Sequence, residues 1–178
     1  MVSTDLLKKV VNELVGPEAL DIVLYLKGKE KISEFKIAKD LKMEIHQVRN
    51  ILYRCLRYNI LRFRRKKDKA KGWYISYWGL NEREIPFIYK KLLEEKVQKL
   101  RERLEREEGT HFYLCRNACI RADFETAADL NFTCPECGEI LELQDNKRTI
   151  EFLKSQIKKL EEELESIEPV TGRRKKKK

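Results

Sequence analysis

Four of the five cysteines fall close together, as Cys115-x3-Cys119, a gap of 14 residues, and Cys134-x2-Cys137. Thiolates suit zinc, and four of them at ~2.3 Å close a tetrahedral shell. A catalytic zinc keeps one position open, whereas a four-sulfur set leaves none. The spacing therefore predicts one structural Zn2+, held by Cys115, Cys119, Cys134 and Cys137. Gly138, directly after the last cysteine, gives the backbone room to turn around the ion. His111 is near in sequence, but a fifth ligand is not needed, and it reads as a surface residue at a strand start. No signal peptide or bilayer-length apolar run is present, so a cytoplasmic chain is expected, where paired cysteines read as metal ligands before disulfides.

A second group of residues is suited to nucleic acid. Arg62, Arg64, Arg65, Lys66, Lys67, Lys69 and Lys71 lie within ten positions that hold one acid, Asp68, and they share that stretch with Phe63 and precede Trp73, Tyr74, Tyr77 and Trp78. Cations neutralise phosphates, and aromatic rings stack on unpaired bases at ~1–3 kcal/mol each. Arg62, Arg64, Arg65, Lys66, Lys67, Lys69, Lys71, Trp73 and Tyr74 are the candidate nucleic-acid contacts. Strand alternation puts Trp73, Ile75 and Tyr77 on one side and Tyr74, Ser76 and Trp78 on the other, so one set faces the core.

The elements that position these groups follow from periodicity. Leu6, Val10 and Leu14 mark a first helix, Gly16-Pro17 breaks it, and a second runs to about Leu26. Ser33 caps a third, Glu34 to Leu41, with Phe35, Ile37, Ala38 and Leu41 expected to face inward. After a turn at Lys42-Met43, a helix from Ile45 to Tyr58 is expected to bury Ile45, Val48, Ile51, Leu52, Cys55 and Leu56. Its His46, Arg49, Arg54 and Arg57 lie largely outside that stripe, and Cys55 reads as packing. Helix, turn and helix, followed by a hairpin of residues 60–67 and 73–78, is a winged helix-turn-helix. The reading helix lacks a dense Asn, Gln and Arg set for base edges, so the wing is the stronger candidate.

The second half of the chain reads as a long charged helix with the seam Leu93, Val97, Leu100 and Leu104, then strands at His111–Leu114, Asn131–Thr133 and Ile140–Leu143 flanking the cysteines. A last helix carries Ile150, Leu153, Ile157, Leu160, Leu164 and Ile167. The fold class expected is mainly α with small β. Residues 1–84 form a winged-helix domain, 85–109 a linker helix, 110–145 a zinc ribbon, 146–168 an amphipathic heptad helix and 169–178 a basic disordered tail. A ribbon so small buries little core, so the metal must supply much of its folding free energy.

Charge agrees with this division. The net charge is +9 and charged residues make up 39% of the chain. Residues 1–110 carry 26 basic against 17 acidic side chains, residues 111–172 carry 7 against 13, and Arg173 to Lys178 are all basic. A basic front half favours an anionic partner. No glycine-rich phosphate loop or acid–base cluster is present and only two histidines occur, so the chain does not read as an enzyme.

Phe124-Glu125-Thr126-Ala127, leading into Leu130-Asn131-Phe132-Thr133-Cys134-Pro135-Glu136-Cys137-Gly138, resembles archaeal transcription factor E, the counterpart of the large subunit of eukaryotic TFIIE. Gly16-Pro17-Glu18-Ala19 and Gly72-Trp73-Tyr74 also match, and the order of parts agrees over about residues 1–168. The resemblance implies a general transcription initiation factor in an archaeal cytoplasm, associated with the nucleoid. It implies contact with the RNA polymerase clamp and stalk, beside the TATA-binding protein and a TFIIB-like factor. It further implies that the wing holds melted non-template strand at the upstream bubble edge, stabilising the open complex, and that the chain is a monomer or pairs with a second TFIIE-like subunit. Family members are expected to carry Cys-x2-Cys at the first pair; here Cys115-x3-Cys119 has one residue more. A competing expectation from the same elements is a dimeric winged-helix repressor with a structural zinc.

Overall fold

The structure, a computed structural model, describes residues 2–67, 72 and 74–167. Lys69, Lys71 and Trp73 of the expected interface, and the basic tail, lie outside the described residues. The chain divides into two compact units that part between residues 91 and 92, within one continuous helix. No helix among the described residues is long and apolar enough to cross a membrane.

In the first unit, α1 (Thr4–Leu14) starts where the Ser3 hydroxyl accepts from the Leu6 N–H at 3.1 Å. Its buried face is Leu7, Val10 and Val11, one position round from the expected stripe, while Leu6 and Leu14 are half-buried. The apolar arc is wide enough to allow both phases, and tertiary packing selects one. Gly16 then sits at φ +116°, with the Glu18 carboxylate folded back to 2.5 Å from where a Cβ would be. A single 3-10 turn, Pro17–Ala19, leads into α2 (Leu20–Leu26).

A two-residue strand, β1 (Ile32–Ser33), comes next, too short to show in the sequence. Ser33 caps α3 (Glu34–Leu41) by accepting from Lys36 N–H, and Lys42 closes it in the left-handed region at φ 53°. Phe35 does not face inward as expected but is 54% exposed. The helix is rotated so that Glu34 and Ile37 are buried, because Arg49 of the next helix, α4 (Ile45–Arg57), pairs with the Glu34 carboxylate. Val48, Ile51, Leu52 and Cys55 form the buried side of α4. Burial pushes the Cys55 thiol up to about 12, so it packs as an uncharged group.

β2 (Leu61–Lys67) and β3 (Tyr74–Leu80) form the wing, and β1 joins on the other edge to give an antiparallel sheet in the order β1-β3-β2. The register sets Phe63 opposite Trp78, Arg65 opposite Ser76 and Lys67 opposite Tyr74. Asn81, just past β3, donates from Nδ2 to the Asn59 carbonyl at 3.2 Å and ties the two ends of the wing together.

The long helix α5 (Ile85–Gly109) buries Ile85 and Tyr89 in its early turns. In the second unit its later turns face α7 (Lys147–Ser166). Arg101–Glu161 at 2.5 Å and Lys154–Glu108 at 2.7 Å link the two helices in opposite directions, an antiparallel pair with Val97, Leu153 and Ile157 buried. The chain between these two helices forms a sheet of β4 (Phe112–Cys115), β5 (Arg121–Asp123) and β6 (Leu141–Leu143), ordered β5-β4-β6. The strand expected at Asn131–Thr133 is instead a turn with an isolated bridge from Thr133 to Ile140. A short helix, α6 (Phe124–Asp129), precedes that turn, capped by the Asp123 carboxylate on Thr126 N–H at 2.9 Å.

One buried ion pair ties the second unit together. Glu107, 4% exposed at the end of α5, receives both terminal nitrogens of Arg121 at 3.0 and 2.6 Å. Asn146, at the start of α7, donates to the Glu107 carbonyl and carboxylate. Arg121 also donates to Gln144 and lies 3.7 Å from the Phe112 ring centroid. The Arg121 hydrogen bonds hold the Glu107 carboxyl below its ordinary 4.5. A depressed carboxylate contributes stability above its unfolded-state pKa, lost as pH falls through the folded value. Glu107→Gln is expected to cost roughly 2 kcal/mol near neutral pH. The gap between parent and variant should narrow as pH drops below about 4.5, read from urea midpoints of the second unit across pH.

Candidate metal centre and nucleic-acid interface

The four cysteine sulfurs lie within 4.8 Å of one another, two of the residues buried and two exposed. Four ligands at ~2.3 Å from a tetrahedral zinc are about 3.8 Å apart, so the cluster fits such an ion and forms a set that can hold a metal. Cys115 ends β4, where Leu141 of β6 pairs with it, and Cys134 receives a backbone clamp through its own N–H to the Glu139 carbonyl at 2.7 Å. Each pair sits on a tight knuckle. In the second, Gly138 N–H donates to the Cys134 carbonyl at 2.9 Å with φ +75°. In the first, Ala118 N–H donates to the Cys115 carbonyl at 2.7 Å, and Ala118 itself takes φ 55°. That left-handed alanine turns the three-residue spacing of Cys115-x3-Cys119 back on itself.

One of the four sulfurs is prepared for charge. The Glu139 N–H, together with hydrogen bonds from Cys115 and Asn117, holds the Cys137 thiol down at about 7. The hydrogen bond to Cys137 pushes Cys119 up to about 12. Backbone donors therefore favour one thiolate, while a divalent cation is what could compensate four. His111 is no member of the cluster.

The ribbon's packing explains why the segment around the second pair has such a specific sequence. Tyr113, Phe124 and Phe132 form an aromatic triangle with centroid separations of 5.0, 6.1 and 6.2 Å. Asn131 and Phe132 both take positive φ, 50° and 55°, uncommon for an aromatic residue. Phe132 is held there by its N–H to the Ala127 carbonyl at 2.7 Å and by Leu141 N–H to its own carbonyl at 2.8 Å.

In the wing, Trp78 is fully buried, edge-on to Tyr53 of α4 at 5.6 Å and tilted on Phe63 at 5.2 Å. This settles the alternation: Tyr74, Ser76 and Trp78 share the face that meets α4. The cross-strand register then sorts the cations. Phe63, Arg65 and Lys67 lie on that same face, and Arg62, Arg64 and Lys66 on the opposite one. All six residues from Arg62 to Lys67 are exposed, as is Tyr74 at 68%. Arg62 pairs with Glu30 at 2.8 Å, an exposed bridge of little energetic weight.

The basic residues of α4 are partly occupied inside the unit. Arg54 donates to Glu18 at 2.6 Å and to the Val15 carbonyl, fastening the α1–α2 corner. Arg49 gives Nε and Nη2 to one Glu34 oxygen at 3.0 and 2.7 Å. The expected interface thus divides: Arg65 and Lys67 share a wing face with Tyr74, Arg62, Arg64 and Lys66 lie on the opposite face, and α4 offers few cations. Sequence reasoning missed the Glu34–Arg49 pair and the Glu107–Arg121 pair, which periodicity cannot reveal. It also missed α6, for which Asp123 three residues before Thr126 was an available capping signal.

A winged helix with a cation-rich wing, joined through one helix to a four-cysteine ribbon, defines the class as a winged-helix protein with a cysteine-ribbon module. A solved structure described as a possible transcriptional regulator from Methanosarcina mazei shares the fold, with a TM-score of 0.50 at 17% identity, over 57% of this chain and 85% of that one. The chain matches the family described as TFIIE alpha subunit over residues 5–109, and it belongs to that family. It is similar to proteins named transcription factor E. The one from Archaeoglobus fulgidus is 32% identical over 93% of this chain and 95% of its own length. The one from Sulfolobus acidocaldarius is 36% identical over 87% and 91%. That from Methanocaldococcus jannaschii is 35% identical over 85% and 86%.

Gly138→Ala tests the second knuckle. Open space surrounds the site of the new Cβ, so the cost is the left-handed backbone alone, about 1–2 kcal/mol. Ribbon unfolding, followed by amide exchange, is expected to weaken by that amount, with α1–α4 unchanged.

Proposed function

We propose that this chain is a general transcription initiation factor of the transcription factor E type. The observation that carries the reading is the near full-length similarity to proteins of that name, on a chain whose exposed cations and exposed Tyr74 cluster on the wing. In this reading the factor joins RNA polymerase, through clamp and stalk, with the TATA-binding protein and a TFIIB-like factor at the promoter. Lys69, Lys71 and Trp73 extend the wing's contact set. The wing holds non-template strand at the upstream edge of the bubble. Binding the open complex better than the closed one shifts the equilibrium towards opening, and a tenfold preference is worth about 1.4 kcal/mol.

Cys115, Cys119, Cys134 and Cys137 hold one Zn2+ in this reading, with a structural role. The ion closes the ribbon, and no step of promoter opening passes through it. The aromatic triangle and the small cluster of Cys115, Ala122, Ala127, Cys134 and Leu141 are the apolar support available beside it. The chain acts in the cytoplasm on nucleoid DNA, as a monomer or with a second TFIIE-like subunit.

Elemental analysis is expected to return about one zinc per chain, and a chelator should unfold the ribbon while α1–α4 keep their amide protection. A ribbon fully folded without metal would overturn the zinc assignment. Replacing Trp73 and Tyr74 with Ala is expected to reduce open-complex formation by about tenfold while polymerase pull-down changes little. Equal losses in both assays would assign the two rings to packing. A stable homodimer protecting a palindromic duplex would replace this reading with a repressor.

A further inference from the structure

Between α3, α4 and the inner face of the wing lies a cleft of about 400 Å³ lined by Glu34, Arg49, Tyr53, Arg65, Tyr74 and Ser76. We propose that this cleft receives one unpaired nucleotide, with the base stacked on Tyr74, its edge met by Arg49, Glu34 and Ser76, and its phosphate by Arg65. The proposal rests on the reading that the wing meets melted DNA, and it names where a base would go.

The lining has the chemistry a base requires. Arg49 is already oriented, because Glu34 holds its Nε and one terminal nitrogen on a single oxygen. That arrangement leaves guanidinium N–H groups as donors for a base carbonyl or ring nitrogen, and leaves the second Glu34 oxygen as an acceptor for an exocyclic amine. Ser76 is 7% exposed and supplies a hydroxyl that can donate or accept. Since Glu34 and Arg49 neutralise each other, Arg65 decides the charge of the cleft, and it favours a phosphate. Tyr74, largely exposed at the open side, presents a ring on which a base can stack.

The cleft is also selective by shape. A base in a duplex has its edge occupied by its partner and its faces by its neighbours, so only an unpaired or extruded base can enter. The floor is rigid: Tyr53 packs edge-on to the buried Trp78, and Ser76 lies two residues from Trp78 on the same strand face. Cross-strand pairing places Arg65 opposite Ser76 and Lys67 opposite Tyr74, so cations border the cleft where the strand must leave.

The test measures binding of the full chain, by fluorescence anisotropy, to three labelled DNAs. These are a promoter duplex, the same duplex pre-melted by mismatches, and the pre-melted duplex with abasic sites in its open strand. Ser76→Leu fills the cleft and is expected to weaken binding to the pre-melted duplex about tenfold, leaving the paired duplex unaffected. Abasic sites should weaken the parent similarly and Ser76→Leu hardly at all. Arg49→Lys keeps the charge and loses the planar fork, so it should follow Ser76→Leu and decides the matter if that variant does not fold. Arg64→Ala with Lys66→Ala, on the opposite face, should weaken all three DNAs alike. If that double variant weakens pre-melted binding while Ser76→Leu and Arg49→Lys bind it as the parent does, the cleft proposal falls and the wing reading stands. If the parent shows no preference for the pre-melted duplex, the wing reading falls and the cleft falls with it.

Discussion

Trp78 sets the geometry on which the front half of the molecule depends. It is fully buried between Tyr53 of α4 and Phe63 of β2, and it also pairs with Ile32 of β1. One residue therefore joins α4 and β2 through its ring and β1 through its backbone. A buried aromatic of this size contributes several kcal/mol through area and ring contacts. Because strand side chains alternate, placing Trp78 inward assigns every other wing residue to a face. The indole Nε1 finds no partner among the described residues, a local cost accepted inside a well-packed cluster.

The protein has many cations, and the structure separates them by use. Arg54 and Arg49 of α4 are drawn onto Glu18, the Val15 carbonyl and Glu34. Arg121 is drawn onto Glu107, and Arg101 onto Glu161. These guanidinium groups organise corners and helix pairs, consistent with arginine's planar fork. Among the described residues, the wing cations Arg64, Arg65, Lys66 and Lys67 lie outside such networks and remain exposed along a strand whose partner carries Tyr74. A charge count alone cannot separate these roles, since each residue contributes the same to a net charge of +9.

The second unit solves a different problem. Its sheet has three very short strands and a core that includes two of the cysteines themselves. Apolar burial on that scale is marginal. Two clips hold the segment: the sulfur cluster at one end of β4, and the Glu107–Arg121–Asn146 network joining α5, β5 and the start of α7. The positive φ values at Ala118, Asn131, Phe132 and Gly138 gather around the cysteines, where the chain must turn sharply between ligands. The proposed zinc would offset that strain.

Much of this was legible in the residues. Helical periodicity located α1 to α5 and α7 because each buries a stripe of aliphatic side chains, and Ser33 marked the start of α3 because a hydroxyl there satisfies an otherwise unpaired N–H. The sulfur cluster followed from spacing, since four thiols in short pairs on turns have few ways to avoid meeting. The sequence by itself determined the longer helices, the two wing strands, the sulfur cluster and the basic character of the wing, but not β1, α6 or the turn at Asn131–Thr133. Tertiary structure alone decided the rotation that exposes Phe35 and buries Glu34, the phase of α1, and the face on which Arg65 and Tyr74 lie beside α4. The physical reason is that propensity and period are local, whereas a partly buried ion pair such as Glu34–Arg49 or a wedge such as Trp78 exists only when distant segments meet. The four cysteines are clear in either description, but only the fold reveals the cleft between helix and wing.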